Sequence, residues 1–317
     1  MQLSHPRTIT RTEGGRPGRN ADAYNFAIPH LIATFVGPLA GIRIVSTALN
    51  LPGPAACARL RDLGAAVTKI EPPAGDPFET FCAPWYARLH EGVEVLRMDL
   101  KSEEGRGAMA GRLREADLLV TAQRASALDR LGLGPAGLAE RFPRLCHVAI
   151  TGHAPPDDAV AGHDLTYLAP LGLVDPPRLP PTLFADMAGA ERVVSACLAL
   201  LLGRERGSAE RARVVALADA AHALAEPLRE GLTRPGALLG GGYAGYNLYA
   251  AQDGWIAVAV LEPRFAVRLA SLLGLERLEA SRLQAIFAAR DTAHWESWAR
   301  ENDLPIVAVG GPEREKR

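Results

Sequence analysis

Short, mostly apolar runs alternate with amphipathic segments over the first half of the chain. Five such runs predict buried strands, at residues 41–48, 65–71, 93–98, 118–122 and 145–151. The segments between them carry helix signals, such as Ser102 before an amphipathic run and Gly64 after another. The run at 145–151 is continuous rather than alternating, which is typical of parallel strands that are covered on both faces. The pattern therefore predicts an open α/β sheet with ligands at the carboxyl ends of its strands.

The second half of the chain has a different pattern. Apolar segments at 187–202 and 214–232 predict two helices, and a glycine-rich loop with a β-hairpin follows before two further helices from Pro263 and Asp291. This change predicts a second, smaller α+β unit. The predicted organisation is a flexible N-terminal extension, a large α/β domain, a linker helix, a small α+β domain and a return segment, at residues 1–37, 38–205, 206–235, 236–303 and 304–317.

Composition narrows the classes of function. Of the 317 residues, 48% are hydrophobic and the formal net charge is -1, so a large core is available without an electrostatic bias toward nucleic acid or membranes. No apolar run reaches the roughly 18 residues that a membrane span needs. The four cysteines lack zinc-site spacing, which predicts reduced thiols in a cytoplasmic protein. Glu13 and Asp22 argue against a transit peptide in the Arg-rich N-terminal segment.

The candidate chemistry lies between residues 162 and 191. This segment contains the pair His163 and Asp164, and it places Asp186 at the start of an apolar helix. General acid–base catalysis needs two such groups of different basicity. A carboxylate at a helix start is also a common N-cap, so the residues alone leave Asp186 open between the two roles. A helix start near Ala55 could receive a phosphate, but the chain has no GxGxxG motif for a dinucleotide.

Seven motifs in order give the chain a family resemblance. They are PLAGIRIVSTA with PGP, LRDLGAAVTKIEPPAGD, MDLKSEEGR, ALDRLGLGP, AGHDLTYLAPLG, LFADMAGAE and YAAQDGWIAVAVLEPRF. Over about residues 38–309 the chain resembles the family III CoA-transferases, which include formyl-CoA transferase, carnitine CoA-transferase and α-methylacyl-CoA racemase. The resemblance implies a Rossmann-like large domain with a small α+β domain in an interlocked homodimer. It also implies an acyl-CoA substrate and no metal or cofactor beyond coenzyme A.

Within this family the chain looks most like the racemase branch. The resemblance then implies that His163 and Asp186 form an acid–base pair supported by Glu262, and that the reaction is epimerisation of a 2-methylacyl-CoA. Two alternatives stay open: a CoA-transferase with Asp186 as nucleophile, and a homologue that binds acyl-CoA without turning it over. Non-catalytic interpretations also stay open. In these, His163 is a buried histidine with its hydrogen bonds satisfied, Asp164 is an N-cap, and Glu262 is an exposed residue before a helix.

Binding of coenzyme A and stabilisation of an enolate add further candidates. The resemblance implies that Met98, Lys101, Arg124 and Arg130 contact the nucleotide and its phosphates. Arginine suits phosphate because its charge is permanent and its planar group donates in two directions. Backbone N–H groups at the start of the helix predicted from Met187 are the expected donors to an enolate oxygen.

Overall fold

A six-stranded parallel sheet forms the centre of the larger part of the protein. The computed structural model describes residues 37–310, so the predicted flexible extension lies almost entirely outside the described residues. The sheet has the order β3-β2-β1-β4-β5-β6. Its strands are β1 (Arg43–Ser46), β2 (Ala66–Glu71), β3 (Glu94–Arg97), β4 (Leu118–Thr121), β5 (Cys146–Thr151) and β6 (Ala212–Ala216). Every neighbouring pair is parallel, which confirms the predicted α/β class with an open sheet.

Helices connect these strands and cover both faces of the sheet. They are α1 (Pro52–Asp62), α2 (Pro77–Phe81), α3 (Ala83–Leu89), α4 (Glu103–Glu115), α5 (Ala125–Arg130), α6 (Pro135–Arg141), α7 (Asp164–Leu168), α8 (Phe184–Glu205), α9 (Leu217–Leu224) and α10 (Glu226–Arg229). Local signals set their ends. The Ser102 hydroxyl accepts from the Gly105 N–H at 3.0 Å, which caps α4 as predicted. Gly64 follows α1 with a φ of +104°, a conformation that favours glycine.

Alternate strand residues point into two hydrophobic clusters. Leu118 and Val120 of β4 join the cluster that packs against α1 and α8, whereas Leu119 joins the cluster that packs against α4 to α6. Burial on both faces explains why three consecutive residues of β4, 118–120, are all apolar. No helix in residues 37–310 has the length and apolar character that crossing a membrane would take.

The sixth strand corrects the sequence prediction of a helix from Val214. Residues Ala212–Ala216 pair with β5 in parallel, with Val214 opposite Ala149, and the helix begins only at Leu217. Two adjacent β-branched valines suit a strand better than a helix interior, and pairing with β5 stabilises that choice.

A second, three-stranded antiparallel sheet follows. It has the order β7-β8-β9, with β7 (Tyr246–Ala250), β8 (Trp255–Ala259) and β9 (Ile306–Ala308), and it packs with α11 (Pro263–Leu272), α12 (Ala280–Phe287) and α13 (Thr292–Glu301). The hairpin and the helices after Pro263 and Asp291 agree with the prediction. The strand β9 pairs with β8, so residues 306–308 complete this sheet. The division into domains, including a return segment at 304–317, stays a prediction.

Candidate active site

A cavity of about 320 Å³ opens at the carboxyl ends of β1, β4 and β5. Parallel sheets commonly bind ligands at this edge, because the loops that follow neighbouring strands converge there. The lining residues are Leu49, Asn50, Pro52, Ala122, Gln123, Arg124, Ile150, Thr151, Gly152, Asp158, Val160, Ala161, Gly162, His163, Tyr167, Asp186 and Leu217. The cavity therefore brings together three of the residues predicted from the sequence, namely His163, Asp186 and Arg124.

Asp186 lies in the first turn of α8 and is partly buried. Burial, with the nearby Asp164 carboxylate as the second cause, raises the pKa of Asp186 from 3.8 to about 6, against a smaller opposing effect of His163. The Asp186 carboxylate accepts no hydrogen bond from any described residue. The N-cap interpretation of Asp186 is therefore wrong for the described structure.

Asp164 supplies the acceptor at this helix start. Its side chain is 5% exposed, and its Oδ1 accepts from the Asp186 backbone N–H at 3.0 Å. This contact joins α7 to the first turn of α8 across 22 residues of chain. It also places a negative charge beside Asp186, and repulsion between the two carboxylates contributes to the raised pKa of Asp186.

His163 is exposed to the cavity at the start of α7. Its backbone N–H donates to the Thr166 hydroxyl at 2.9 Å, and its carbonyl accepts from the same hydroxyl at 2.8 Å. The residue is exposed rather than enclosed in the core. The interpretation of His163 as a satisfied buried histidine is therefore not what the structure shows.

Two of the predicted backbone donors to an enolate oxygen are occupied. The Asp186 N–H donates to Asp164, and the Met187 N–H donates to the Leu183 carbonyl at 3.0 Å. The reason is that α8 begins at Phe184, three residues before the predicted start, so Met187 already takes part in helical hydrogen bonding.

Two hydroxyl groups in the cavity were not predicted from the sequence. Thr151 at the end of β5 has an enclosed Oγ1 without a described hydrogen-bond partner. Tyr167 is 4% exposed, and its ring lies beside the cavity. The position of Tyr167, one helical turn after His163, is the sequence signal that could have indicated it.

Interactions beneath the cavity fix its walls. Gln123 Nε2 donates to the Thr47 carbonyl at 2.7 Å, and the Thr47 hydroxyl donates to Gln123 Oε1 at 2.8 Å, so the ends of β1 and β4 are joined. On the other side, Asp76 accepts the Asn50 N–H at 3.0 Å and is paired with the buried Lys69 ammonium at 2.5 Å.

A second cavity of about 630 Å³ lies between α4 and the α5–α6 region. Its lining includes the apolar side chains Leu100, Met109 and Leu133 and four arginines, Arg106, Arg114, Arg130 and Arg141. Arg124 immediately precedes α5 and Arg130 ends it, so the two predicted phosphate ligands lie in different cavities. Met98 packs against the core near this region and Lys101 is exposed at the start of the α4 connection; neither lines either cavity.

Glu262 does not join the candidate site within one chain. It is exposed and immediately precedes Pro263 at the start of α11, with no side-chain cap hydrogen bond. It is absent from the lining of the cavity that contains His163 and Asp186.

Similar proteins include enzymes of two reaction types. The chain is 27% identical over 271 residues to a probable fatty acyl-CoA transferase of Mycobacterium tuberculosis, covering 75% of this chain and 69% of that protein. It is 30% identical over 262 residues to an alpha-methylacyl-CoA racemase of Mus musculus, covering 76% of this chain and 66% of that protein. The chain thus spans about two thirds of the length of these relatives.

Solved structures and a family profile agree with this similarity. The crystal structure of a hypothetical protein from Mycobacterium tuberculosis superposes with a TM-score of 0.76 at 25% identity, covering 87% of this chain and 86% of that one. The profile of CoA-transferase family III matches residues 39–314. This match spans both sheets and the cavity that holds His163 and Asp186, and the chain belongs to CoA-transferase family III.

Proposed function

We propose that this chain epimerises the α-carbon of a 2-methylacyl-CoA by removing a proton from one face and returning a proton to the other. The observation that supports this reaction is the shared cavity of His163 and Asp186, where burial raises the pKa of Asp186 to about 6. A carboxyl group with this pKa exchanges protons near neutral pH, and histidine is the other side chain suited to that range. Two such groups are what a proton exchange on two faces needs.

The second cavity suits the nucleotide end of coenzyme A. Four arginines and an apolar floor can bind phosphate groups and an adenine ring together. The six-residue helix α5 separates Arg124 in the reaction cavity from Arg130 in the second one, a helix length of about 9 Å. A thioester that extends from one cavity to the other would place its acyl group beside Asp186.

Met98 and Lys101 complete the proposed contacts with coenzyme A. Met98 offers a soft, partly exposed apolar surface, and the exposed Lys101 offers a mobile positive charge at the start of the α4 connection. The substrate itself is the only carrier of coenzyme A in this proposal, with no metal or further cofactor.

In the proposed function, Glu262 contributes to the site of a second chain in a homodimer. Because Glu262 is exposed and outside the cavity of its own chain, it is free to complete a second chain's site. In an interlocked dimer, Glu262 of the partner subunit would orient the His163 imidazole, since no described carboxylate of the same chain bonds to that ring.

A CoA-transferase reaction is the second candidate. The similarity to a probable fatty acyl-CoA transferase favours it. In that reaction the ionised Asp186 would attack the thioester carbonyl and carry the acyl group as an anhydride. A pKa of about 6 leaves Asp186 mostly ionised at pH 7–8, but this reaction gives the cavity histidine no evident task.

Deuterium exchange distinguishes these reactions. Purified enzyme is incubated with a 2-methylacyl-CoA in D2O without a carboxylate acceptor, and we expect deuterium at the α-carbon by mass spectrometry. His163→Ala and Asp186→Asn should each suppress exchange from one face by about 100- to 10,000-fold. Asp158→Asn is the matched control, because Asp158 lines the same cavity but does not affect the pKa of Asp186.

Other outcomes identify the alternatives. An acyl group that hydroxylamine releases from Asp186, without deuterium in the substrate, would establish the transferase reaction instead. Calorimetric binding of the thioester without either chemistry would identify a binding protein. The acyl-CoA proposal fails if wild-type protein binds neither coenzyme A nor its thioester.

A further inference from the structure

The Tyr167 hydroxyl opens onto the reaction cavity and has no hydrogen-bond partner among residues 37–310. The side chain is 4% exposed and lines the cavity with His163 and Asp186. In residues 37–310 three other tyrosines, Tyr86, Tyr243 and Tyr249, donate their hydroxyl to a protein oxygen. The Tyr167 hydroxyl has no such acceptor there. Three side-chain atoms of the described chain are both fully enclosed and without a hydrogen-bond partner, and the Tyr167 hydroxyl oxygen is not one of them. The hydroxyl is therefore accessible from the cavity.

Two glycines leave the space in which the Tyr167 ring lies. A Cβ atom on Gly152 would lie 2.6 Å from the Tyr167 hydroxyl oxygen, and one on Gly162 would lie 2.5 Å from the ring carbon Cε1. Both distances are shorter than real Cβ contacts, so a side chain at either position would require the Tyr167 ring or its neighbours to shift. His153 packs edge-on against the same ring, with 5.3 Å between the ring centroids. The Tyr167 phenol therefore occupies the space that side chains at positions 152 and 162 would need.

The proposed reaction requires a donor to the oxyanion, and two N–H groups near the start of α8 are not available for this role. When the α-C–H bond breaks, its electron pair forms a C=C bond and the carbonyl oxygen takes the negative charge, while the proton moves to the base. Reprotonation of the α-carbon on the other face reverses the shift of electrons. The Asp186 and Met187 N–H groups already donate within the protein, so they leave the developing oxyanion without those partners.

We propose that Tyr167 is a catalytic residue that donates its O–H to the thioester carbonyl oxygen of the substrate and stabilises the enolate. This inference rests on the proposed CoA-thioester function and deepens it by assigning the oxyanion donor. Tyr167 keeps its proton throughout, so the reaction stays balanced with only His163 and Asp186 exchanging protons. Burial and the charges of Asp186 and Asp164 raise the pKa of the Tyr167 phenol, which keeps it a donor at neutral and mildly alkaline pH.

The test compares wild-type protein with Tyr167→Phe, which removes one oxygen atom and keeps the ring. We expect α-deuterium exchange at saturating thioester to fall by about 100- to 1000-fold, with little change in KM, because the hydrogen bond strengthens as charge develops. Tyr246→Phe is the matched control, since Tyr246 lines a different cavity beside the small sheet. Thermal unfolding of each variant checks that the fold is intact.

Isotope-edited infrared spectroscopy measures the C=O stretching frequency of the bound thioester. A hydrogen bond from Tyr167 would lower this frequency, whereas a role of Tyr167 in packing alone would leave it unchanged. With a 13C carbonyl in the 2-methylacyl-CoA, we expect a lower C=O stretching frequency on wild-type protein than on Tyr167→Phe. Equal frequencies, or exchange by Tyr167→Phe at the wild-type rate, would overturn the assignment while leaving the proposed function in place. If wild type binds the thioester but does not exchange deuterium, the epimerase function fails and the infrared comparison alone decides for or against Tyr167. No binding by wild type overturns both.

Gly152→Ala provides an independent check on the position of the hydroxyl. Its new methyl group would collide with the Tyr167 oxygen, whereas the ring carbon Cζ is 3.4 Å away. Removing the oxygen should relieve the collision. We therefore expect Gly152→Ala to lower the thermal unfolding temperature in the wild-type background more than in the Tyr167→Phe background. Equal losses in the two backgrounds would contradict the position inferred for the hydroxyl.

Discussion

Replacing Asp186 with Asn should stabilise the folded protein at neutral pH while removing activity. The pKa of Asp186 is raised from 3.8 to about 6 in the folded chain, so between those values the native state binds more protons than the unfolded state. Stability then falls as the pH rises through this interval and stays low above it. One pKa unit corresponds to about 1.4 kcal/mol, so the ionised carboxylate costs the fold at most about 3 kcal/mol at pH 8.

Urea unfolding at several pH values measures this effect. Asn cannot ionise, so we expect Asp186→Asn to be more stable than wild type by up to about 3 kcal/mol at pH 8. The gain should shrink toward pH 4, where wild-type Asp186 is itself becoming protonated. Asp158→Asn, which replaces another carboxylate of the same cavity, is the matched control for this exchange of residue type.

The sign of the stability change on Asp186→Asn tests whether the carboxylate is held in an unfavourable environment. An N-cap carboxylate would instead make Asp186→Asn neutral or slightly destabilising, and Asp186→Ala would lose about 1 kcal/mol. Equal or lower stability of Asp186→Asn at pH 8 would therefore refute the claim that Asp186 is held in an unfavourable environment.

Three further predictions follow from the same structure. Asp164→Asn keeps an acceptor for the Asp186 N–H but removes the charge, so the acid limb of the exchange–pH profile should move to lower pH, by up to about one pH unit; an unchanged limb would contradict the electrostatic role of Asp164. Replacing Lys101, Arg124 or Arg130 with Ala should weaken binding of the thioester in calorimetry and make the remaining binding less salt-dependent, with little change in turnover at saturation; normal binding with slow turnover would show that the residue was misassigned. Light scattering should find a homodimer at micromolar concentration, and a stable monomer would remove the proposed role of the partner's Glu262.

The sequence predicted the parallel sheet best where the apolar runs decide the structure alone. The runs that became β1 to β5 are short, mostly apolar and bounded by glycine or polar residues, so strand and helix are easily distinguished there. The run from Val214 is followed by alanines that suit a helix, and only its pairing with β5, more than 60 residues earlier, favours β6. The three-residue strand β9 likewise depends on pairing with the distant β8.

The candidate site divides in the same way. His163 and Asp186 could be named from their motifs, and the structure places both beside one cavity. The acceptor role of Asp164 depends on the approach of two helices that are joined by a long loop, which no local pattern reveals. The role inferred for Tyr167 depends on free space above Gly152, so a glycine that looked like an ordinary loop residue gains its meaning only in three dimensions.

The separation of the two cavities by α5 has a consequence for how new activities arise. Apart from the partner's Glu262, the groups proposed for chemistry belong to one contiguous segment, residues 163–186, whereas the groups proposed for the nucleotide belong to residues 98–141. Changes in the first segment can therefore alter the reaction while the handle common to all CoA thioesters is still bound by the second. An ancestral protein with this layout could exchange one chemistry for another without first losing its ligand, and relatives with transferase and racemase names are what such a history would leave.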